Sequence, residues 1–189
     1  HIPEVKSVLF EEEPPIPRLH EEDLVYAFRH AWPPPTSSPE IYLRMIHSRF
    51  RCHQVLSSYE KAHHITYDRI IFSRLDVKYF QEVGPILNKT TVVPQVINVP
   101  DFHNTFNGQI DGCNDRFSMG DRETMRTYFN LPLSIPPFLQ EGGELHGETF
   151  LKWHLSQNDI SLNKIPLKFG RVRPNGDEID ARLAESHED

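Results

Sequence analysis

The chain has 189 residues, 38% of them hydrophobic and 25% charged, which fits one soluble domain with a single core. Its formal net charge of −7 argues against a nucleic-acid partner, because affinity for a phosphate backbone comes mainly from Lys and Arg. No apolar run approaches the ~18 residues of a membrane span, and Cys52 and Cys113 lack the CxxC partners of a structural zinc site.

The chain begins at His1 rather than Met, which fits a fragment or a processed product. Val5 to Phe10 alternates enough for a strand, until Pro14, Pro15 and Pro17 break it. Glu21 to Trp32 is expected as a short helix, stopped by Pro33-Pro34-Pro35. Ser38, Pro39 and Glu40 then give a stronger start signal: a capping hydroxyl, a proline suited to the first turn, and an acid at the positive helix end. The predicted helix runs to about His63, with Ile41, Met45, Cys52, Val55, Tyr59 and Ala62 on its inward stripe and Ile46, Phe50 and Leu56 widening it.

Arg69 to Ser73 reads as a buried strand, and Thr91 to Gln95 as an edge strand because of Pro94. Residues 96–114 show no clear period. Arg116 to Met119 is a short strand, and Gly120-Asp121 opens a helix through about Phe129. The stretch holding Pro132, Pro136, Pro137 and Gly142-Gly143 reads as a loop. Gly147 to about Gln157 is a helix with Phe150, Leu151, His154 and Leu155 inward. A last strand, Ile165 to Val172, leads to the turn Pro174-Asn175-Gly176-Asp177 and an acidic tail over 177–189. Strands alternating with helices predict an α/β domain with a mostly parallel twisted sheet and helices on both faces. No Gly-rich phosphate turn follows Val5 to Phe10, so the first strand–helix unit of such a fold is expected to be missing.

Several groupings carry chemistry. Arg74 and Asp76, two apart at a strand end, point to one side, where an α/β sheet binds ligands. A carboxylate there suits Mg²⁺ or Mn²⁺ with a diphosphate, and an arginine suits phosphate; a surface ion pair explains the same spacing. The loop Asp111 to Gly120 offers Asn114 and Asp115 as partners for sugar hydroxyls, with Arg116 able to pair with Asp115 or Asp111 and only brace the loop, or serves only as a turn rich in Asn, Asp and Gly. Glu148 lies in the first turn of a helix, where the dipole favours its ionised form and it can act as a base, or merely support the helix. His146 beside it is a further base or metal ligand. Arg171 and Arg173 share one strand face and suit a diphosphate, or keep a solvated edge from aggregating. A sequon, Asn88-Lys89-Thr90, is compatible with a secretory route such as the Golgi lumen, and a cytoplasmic location fits equally.

Taken in order, "YDRIIFSRLDV", "GCNDRFSMGDRETMRTY", "HGETFLKWHL" and "KFGRVRPNG" resemble a group of glycosyltransferase-like domains with the GT-A fold. The resemblance spans roughly residues 40 to 176. It implies a nucleotide-sugar donor, a glycan or other hydroxyl acceptor, and a Mn²⁺ or Mg²⁺ ion held at an Asp-x-Asp strand end. Only the second acid is present, as Asp76, with Arg74 in the first place. It implies Glu148 as catalytic base and Asn114 and Asp115 beside donor or acceptor; failing Glu148, Asp115 is expected to take the proton. The expected donor-binding set is Arg74, Asp76, Asn114, Arg116, Arg171 and Arg173, with Asp76 as metal ligand. Two other readings stand beside sugar transfer. One is a non-catalytic glycan- or nucleotide-sugar-binding domain; the other is a metal-dependent hydrolase using Asp76, Asp111, Asp115 and His146.

Overall fold

The computed structural model of the protein describes residues 39–102, 105–106, 110–173 and 175–179. The expected strand Val5 to Phe10, the helix Glu21 to Trp32 and most of the acidic tail lie outside those residues. The long helix α1 spans Pro39–His63, as the capping signal predicts, and it stops where His64 turns to a φ of 52°. Its inward face is turned by one position from the expected stripe. Tyr42, Leu43, Ile46 and Arg49 are buried, whereas Ile41 is 64% exposed and Cys52 and Ala62 face water. Two charged residues, Arg49 and Glu60, sit on the buried face, so the apolar pattern pointed elsewhere. Glu60 is held there by Arg122, 2.9 Å from its carboxylate, and by the Tyr67 backbone N–H at 2.9 Å.

The remaining described elements position the site. β1 (Ile70–Ser73) is followed by β2 (Val77–Tyr79) and the short helix α2 (Val83–Lys89). β3 (Val96–Pro100), the hairpin β4 (Thr105–Phe106) and β5 (Ile110–Asp111), then β6 (Phe117–Gly120) complete the first half. α3 (Arg122–Phe129), a 3-10 turn (Leu131–Ser134), α4 (Ile135–Gln140) and α5 (Gly147–Ser156) follow. β7 (Ser161–Ile165), β8 (Phe169–Val172) and β9 (Glu178–Ile179) close the chain of elements.

The strand expected over Thr91 to Gln95 lies instead at Val96–Pro100, because Gln95 adopts a φ of 60° and the chain turns before it extends. β3 is an inner strand, between β6 and β7. Its buried Asn98 hid it from pattern reading. That amide is satisfied, donating to the Met119 carbonyl at 3.1 Å and accepting from Asn163 at 2.7 Å. The proline stretch expected as loop forms α4, since prolines in a first turn forgo an N–H that the helix does not use. The last expected strand is two, β7 and β8, divided at Pro166.

The main sheet has the order β1-β6-β3-β7. β6 runs antiparallel to both β1 and β3, and only β3 and β7 pair in parallel. The expected mostly parallel sheet is therefore corrected to a mixed one. With β6 reversed between them, β1, β3 and β7 still run in one direction, and their carboxyl ends share one edge. A second sheet, β2-β8-β9, is antiparallel throughout.

Side chains on the two faces of the main sheet enter different cores. On one face, Ile70, Ile97 and Val99 pack with Tyr42, Ile46, Met125, Tyr128, Phe150 and Leu151 from the helices. On the other, Phe117 and Met119 pack with Phe169 and Leu167 beside β8, and with Val83, Ile86 and Leu87 of α2. The second face is covered mainly by a sheet, where helices were expected on both. The protein is thus mixed α/β with three layers. Among the described residues, no helix is long and apolar enough to cross a membrane.

Candidate functional site

The alternation along β6 sends Phe117 and Met119 to one core and leaves Arg116 and Ser118 facing the helices. The β1–β6 ladder continues one step beyond the strands. The Arg74 N–H donates to the Arg116 carbonyl at 3.0 Å, making the two arginines cross-strand neighbours. Residues 74–76 then carry the chain from the first sheet to the second. There the Val172 N–H donates to the Asp76 carbonyl at 2.8 Å, and Val77 pairs with Arg171. One corner thus collects Arg74, Asp76, Arg116 and Arg171.

α1 and α5 close this corner from the helical side. Arg49 of α1 is 2% exposed, and its guanidinium lies over the rings of Phe72, at 4.9 Å, and Tyr128, at 5.1 Å. Its Nη2 donates to the Asp115 carbonyl at 2.9 Å and reaches that residue's carboxylate at 3.4 Å. At the start of α5, a Cβ on Gly147 would stand 3.3 Å from the Asp115 carboxylate and 3.5 Å from the Tyr42 ring. A side chain there would press on a carboxylate that Arg49 already fixes. The Cys113 N–H donates to the Glu148 carbonyl at 3.0 Å and ties the loop to the helix.

Glu148 is the centre of the arrangement. One oxygen is 3.4 Å from Arg116 Nη2, the other 3.3 Å from His146 Nε2, and its side chain keeps 13% of its surface open to solvent. Burial, then the negative charge of Asp115, push its carboxyl up to about 7, against the pull of Arg116. Asp115 moves the other way. Burial alone would raise it, but Arg49, Arg116 and Arg74 hold it below the usual carboxylate range. Burial lowers the His146 imidazole from its ordinary value, so this side chain is neutral at pH 7.

Arg74 and Asp76 form a two-pronged pair, with Nε donating to one carboxylate oxygen at 2.8 Å and Nη2 to the other at 2.6 Å. Burial opposes ionisation of Asp76, and this hydrogen-bonded fork outweighs it. The pair remains partly open, with side chains 24% and 39% exposed. Arg171 is half-buried and close enough that its charge lowers the carboxyls of both Asp76 and Glu148.

The structure therefore brings together Arg74, Asp76, Asp115, Arg116, Glu148 and Arg171 among the residues expected from sequence. It sets two others apart. Asn114 is wholly buried, its amide donating to the Phe102 carbonyl at 2.9 Å and accepting from the Arg116 N–H at 2.9 Å, so it braces the entry to β6. Arg173 is exposed, and its N–H donates to the Asp177 carbonyl at 2.8 Å in the closing turn. Sequence reading missed Arg49 and Tyr42. Their signal was the spacing Tyr42, Ile46, Arg49, His53, Leu56, Glu60, a single helical face on which charge and apolarity alternate.

The carboxylates expected to face a divalent cation are engaged by arginines. Mg²⁺ and Mn²⁺ need free oxygen ligands, yet both oxygens of Asp76 are held by Arg74, and Asp115 is ringed by guanidinium groups. Among the described residues, no three His, Cys, Asp or Glu side chains converge on one point. A groove of about 770 Å³, lined by Asp68, Arg69, Asn88, Lys89 and Asp121 among others, lies at the opposite end of β1 and β6. It is remote from Glu148, and the charged corner remains the candidate site.

Residues 40–174 match the family model described as Domain of unknown function (DUF7796), and the chain belongs to that family. Comparison with curated proteins and with solved structures gave no match.

Proposed function

We propose that this member of the DUF7796 family is a glycosyltransferase, moving a sugar from a nucleotide-sugar donor to the hydroxyl of a glycan or other acceptor. One observation carries the reading: Glu148 is a largely buried carboxyl poised near neutrality, at about 7, beside the strand end where Arg74, Asp76 and Arg171 meet. A general base works best when its pKa lies near the working pH. Asp115, the substitute base, is held below the usual carboxylate range by Arg49 and its neighbouring arginines and is the poorer proton acceptor. The resemblance to GT-A domains adds the substrate class.

In this reading the Glu148 carboxylate takes the proton of the acceptor hydroxyl. The acceptor oxygen attacks the anomeric carbon, and the bond from that carbon to the diphosphate oxygen breaks. The nucleoside diphosphate leaves with the bonding electron pair, and the guanidinium charges of Arg74 and Arg171 meet the negative charge growing on it. Glu148 is left protonated and returns the proton to solvent through its open side.

The test is incubation of the full chain with UDP- and GDP-sugars and saccharide acceptors, following nucleoside diphosphate release and acceptor mass together. Glu148→Gln should lower turnover by ~10²–10⁴-fold while the circular dichroism spectrum stays unchanged. Full activity in that variant removes Glu148 from the role. A second reading, a binding domain without turnover, draws on the mutual capture of Arg74 and Asp76. It predicts donor binding with no nucleoside diphosphate release under any condition.

A further inference from the structure

We infer that Asp76 is a built-in stand-in for phosphate: its carboxylate occupies the Arg74 fork until a diphosphate displaces it, and the diphosphate binds the arginines directly with no divalent cation between. This deepens the transfer reading and rests on it for the identity of the ligand.

The geometry of the pair is the first support. Two parallel N–H···O bonds from Nε and Nη2, at 2.8 and 2.6 Å, are the contact a guanidinium makes with two oxygens of a phosphate. Asp76 thus keeps Arg74 in the orientation a phosphate needs. Exposure is the second. The pair sits on the open side of the site, so the carboxylate can swing into water when a stronger anion arrives.

Charge is the third support. Arg49, Arg74, Arg116 and Arg171 face Asp76, Asp115 and Glu148, a net charge of +1 with every group ionised and +2 when Glu148 takes a proton. Among the described residues, Nε and Nη1 of the buried Arg116 have no hydrogen-bond partner, and neither do Nε and Nη1 of Arg49. A corner with surplus positive charge and unspent donors favours an anion and repels a divalent cation.

A cation site and a stand-in predict opposite signs for one substitution. If Asp76 held a metal, removing its charge would abolish diphosphate binding. If it competes with phosphate, removal strengthens binding. Isothermal titration with inorganic pyrophosphate, UDP and GDP, in EDTA and again in Mn²⁺, separates the two. We expect wild-type binding in EDTA, about 2–10-fold tighter binding by Asp76→Asn, and at least ~10-fold weaker binding by Arg74→Ala. Asp76→Ala serves as a second variant, with thermal melting confirming the fold of each. Loss of binding in Asp76→Asn, or binding that appears only with Mn²⁺, overturns the stand-in and leaves sugar transfer standing. Absence of binding by every form in both conditions overturns the transfer reading, and the stand-in falls with it.

Discussion

Replacing Glu148 by Gln should make the protein more stable, and only above a definite pH. The carboxyl ordinarily titrates near 4.5 and in the fold is raised to about 7. Between those values the folded protein binds more protons at this site than the unfolded chain does, so stability falls as pH rises. Below about pH 4.5 both states are protonated, and the site costs nothing. Above pH 7 the full penalty is present, about 3 kcal/mol at 1.36 kcal/mol per pH unit. Glutamine keeps the shape and carries no charge. It also gives up the attraction of Arg116, but that attraction is already contained in the net displacement. Urea unfolding at pH 4, 5, 6, 7 and 8 should show the two proteins nearly equal at pH 4. At pH 8 the variant should lead by about 1–3 kcal/mol. Parallel stability curves across that range, or a variant weaker than wild type at pH 8, would refute the argument. A residue whose removal raises stability while abolishing turnover is one that the fold tolerates for its chemistry.

Asp115→Asn should cost about 3–5 kcal/mol in urea unfolding, because it leaves the buried Arg49 guanidinium without its countercharge. Pairing Arg49→Met with Asp115→Leu should recover most of that loss, and a double variant as weak as the single one would contradict the pairing. Gly143→Ala should cost about 1–3 kcal/mol, since a Cβ there falls 2.4 Å from the Phe138 ring, which Phe150 and Trp153 hold in place. A melting temperature equal to wild type would show that the ring yields. Asp121→Ala should lose about 1 kcal/mol of stability with the cap it gives to the Thr124 N–H. Titration with pyrophosphate should find its affinity unchanged, since Asp121 sits at the far end of β6 from Arg116.

Elements whose signals are local could be read from sequence. The Ser-Pro-Glu start signal in the sequence before and into α1, the Asp121 cap of α3 and the apolar spacing of α5 each specify a helix without outside help. β3 could not be read, because Asn98 interrupts its apolar run and is satisfied only by β6 and β7, elsewhere in the chain. Sheet direction was equally hidden, since nothing local marks β6 as the reversed strand. The site followed the same division. Arg74, Asp76, Asp115, Arg116, Glu148 and Arg171 could be named because polar clusters at strand ends and helix starts invite notice. Arg49 could not, because a lone arginine in a helix reads as solvent-facing until Phe72, Tyr128 and Asp115 are seen around it.

The charges on the inward face of α1 also govern the order in which the chain can assemble. Arg49 finds its partner 66 residues later, at Asp115, and Glu60 finds its own 62 residues later, at Arg122. While the chain is being synthesised, α1 emerges long before either. Taking an unpaired ion out of water costs several kcal/mol, so the nascent helix resists burying this face against whatever apolar surface it meets first. Its burial becomes favourable once Asp115, just before β6, and Arg122, at the start of α3, supply the matching charges. Arg49 and Glu60 thereby penalise any docking of this face before Asp115 and Arg122 are in place.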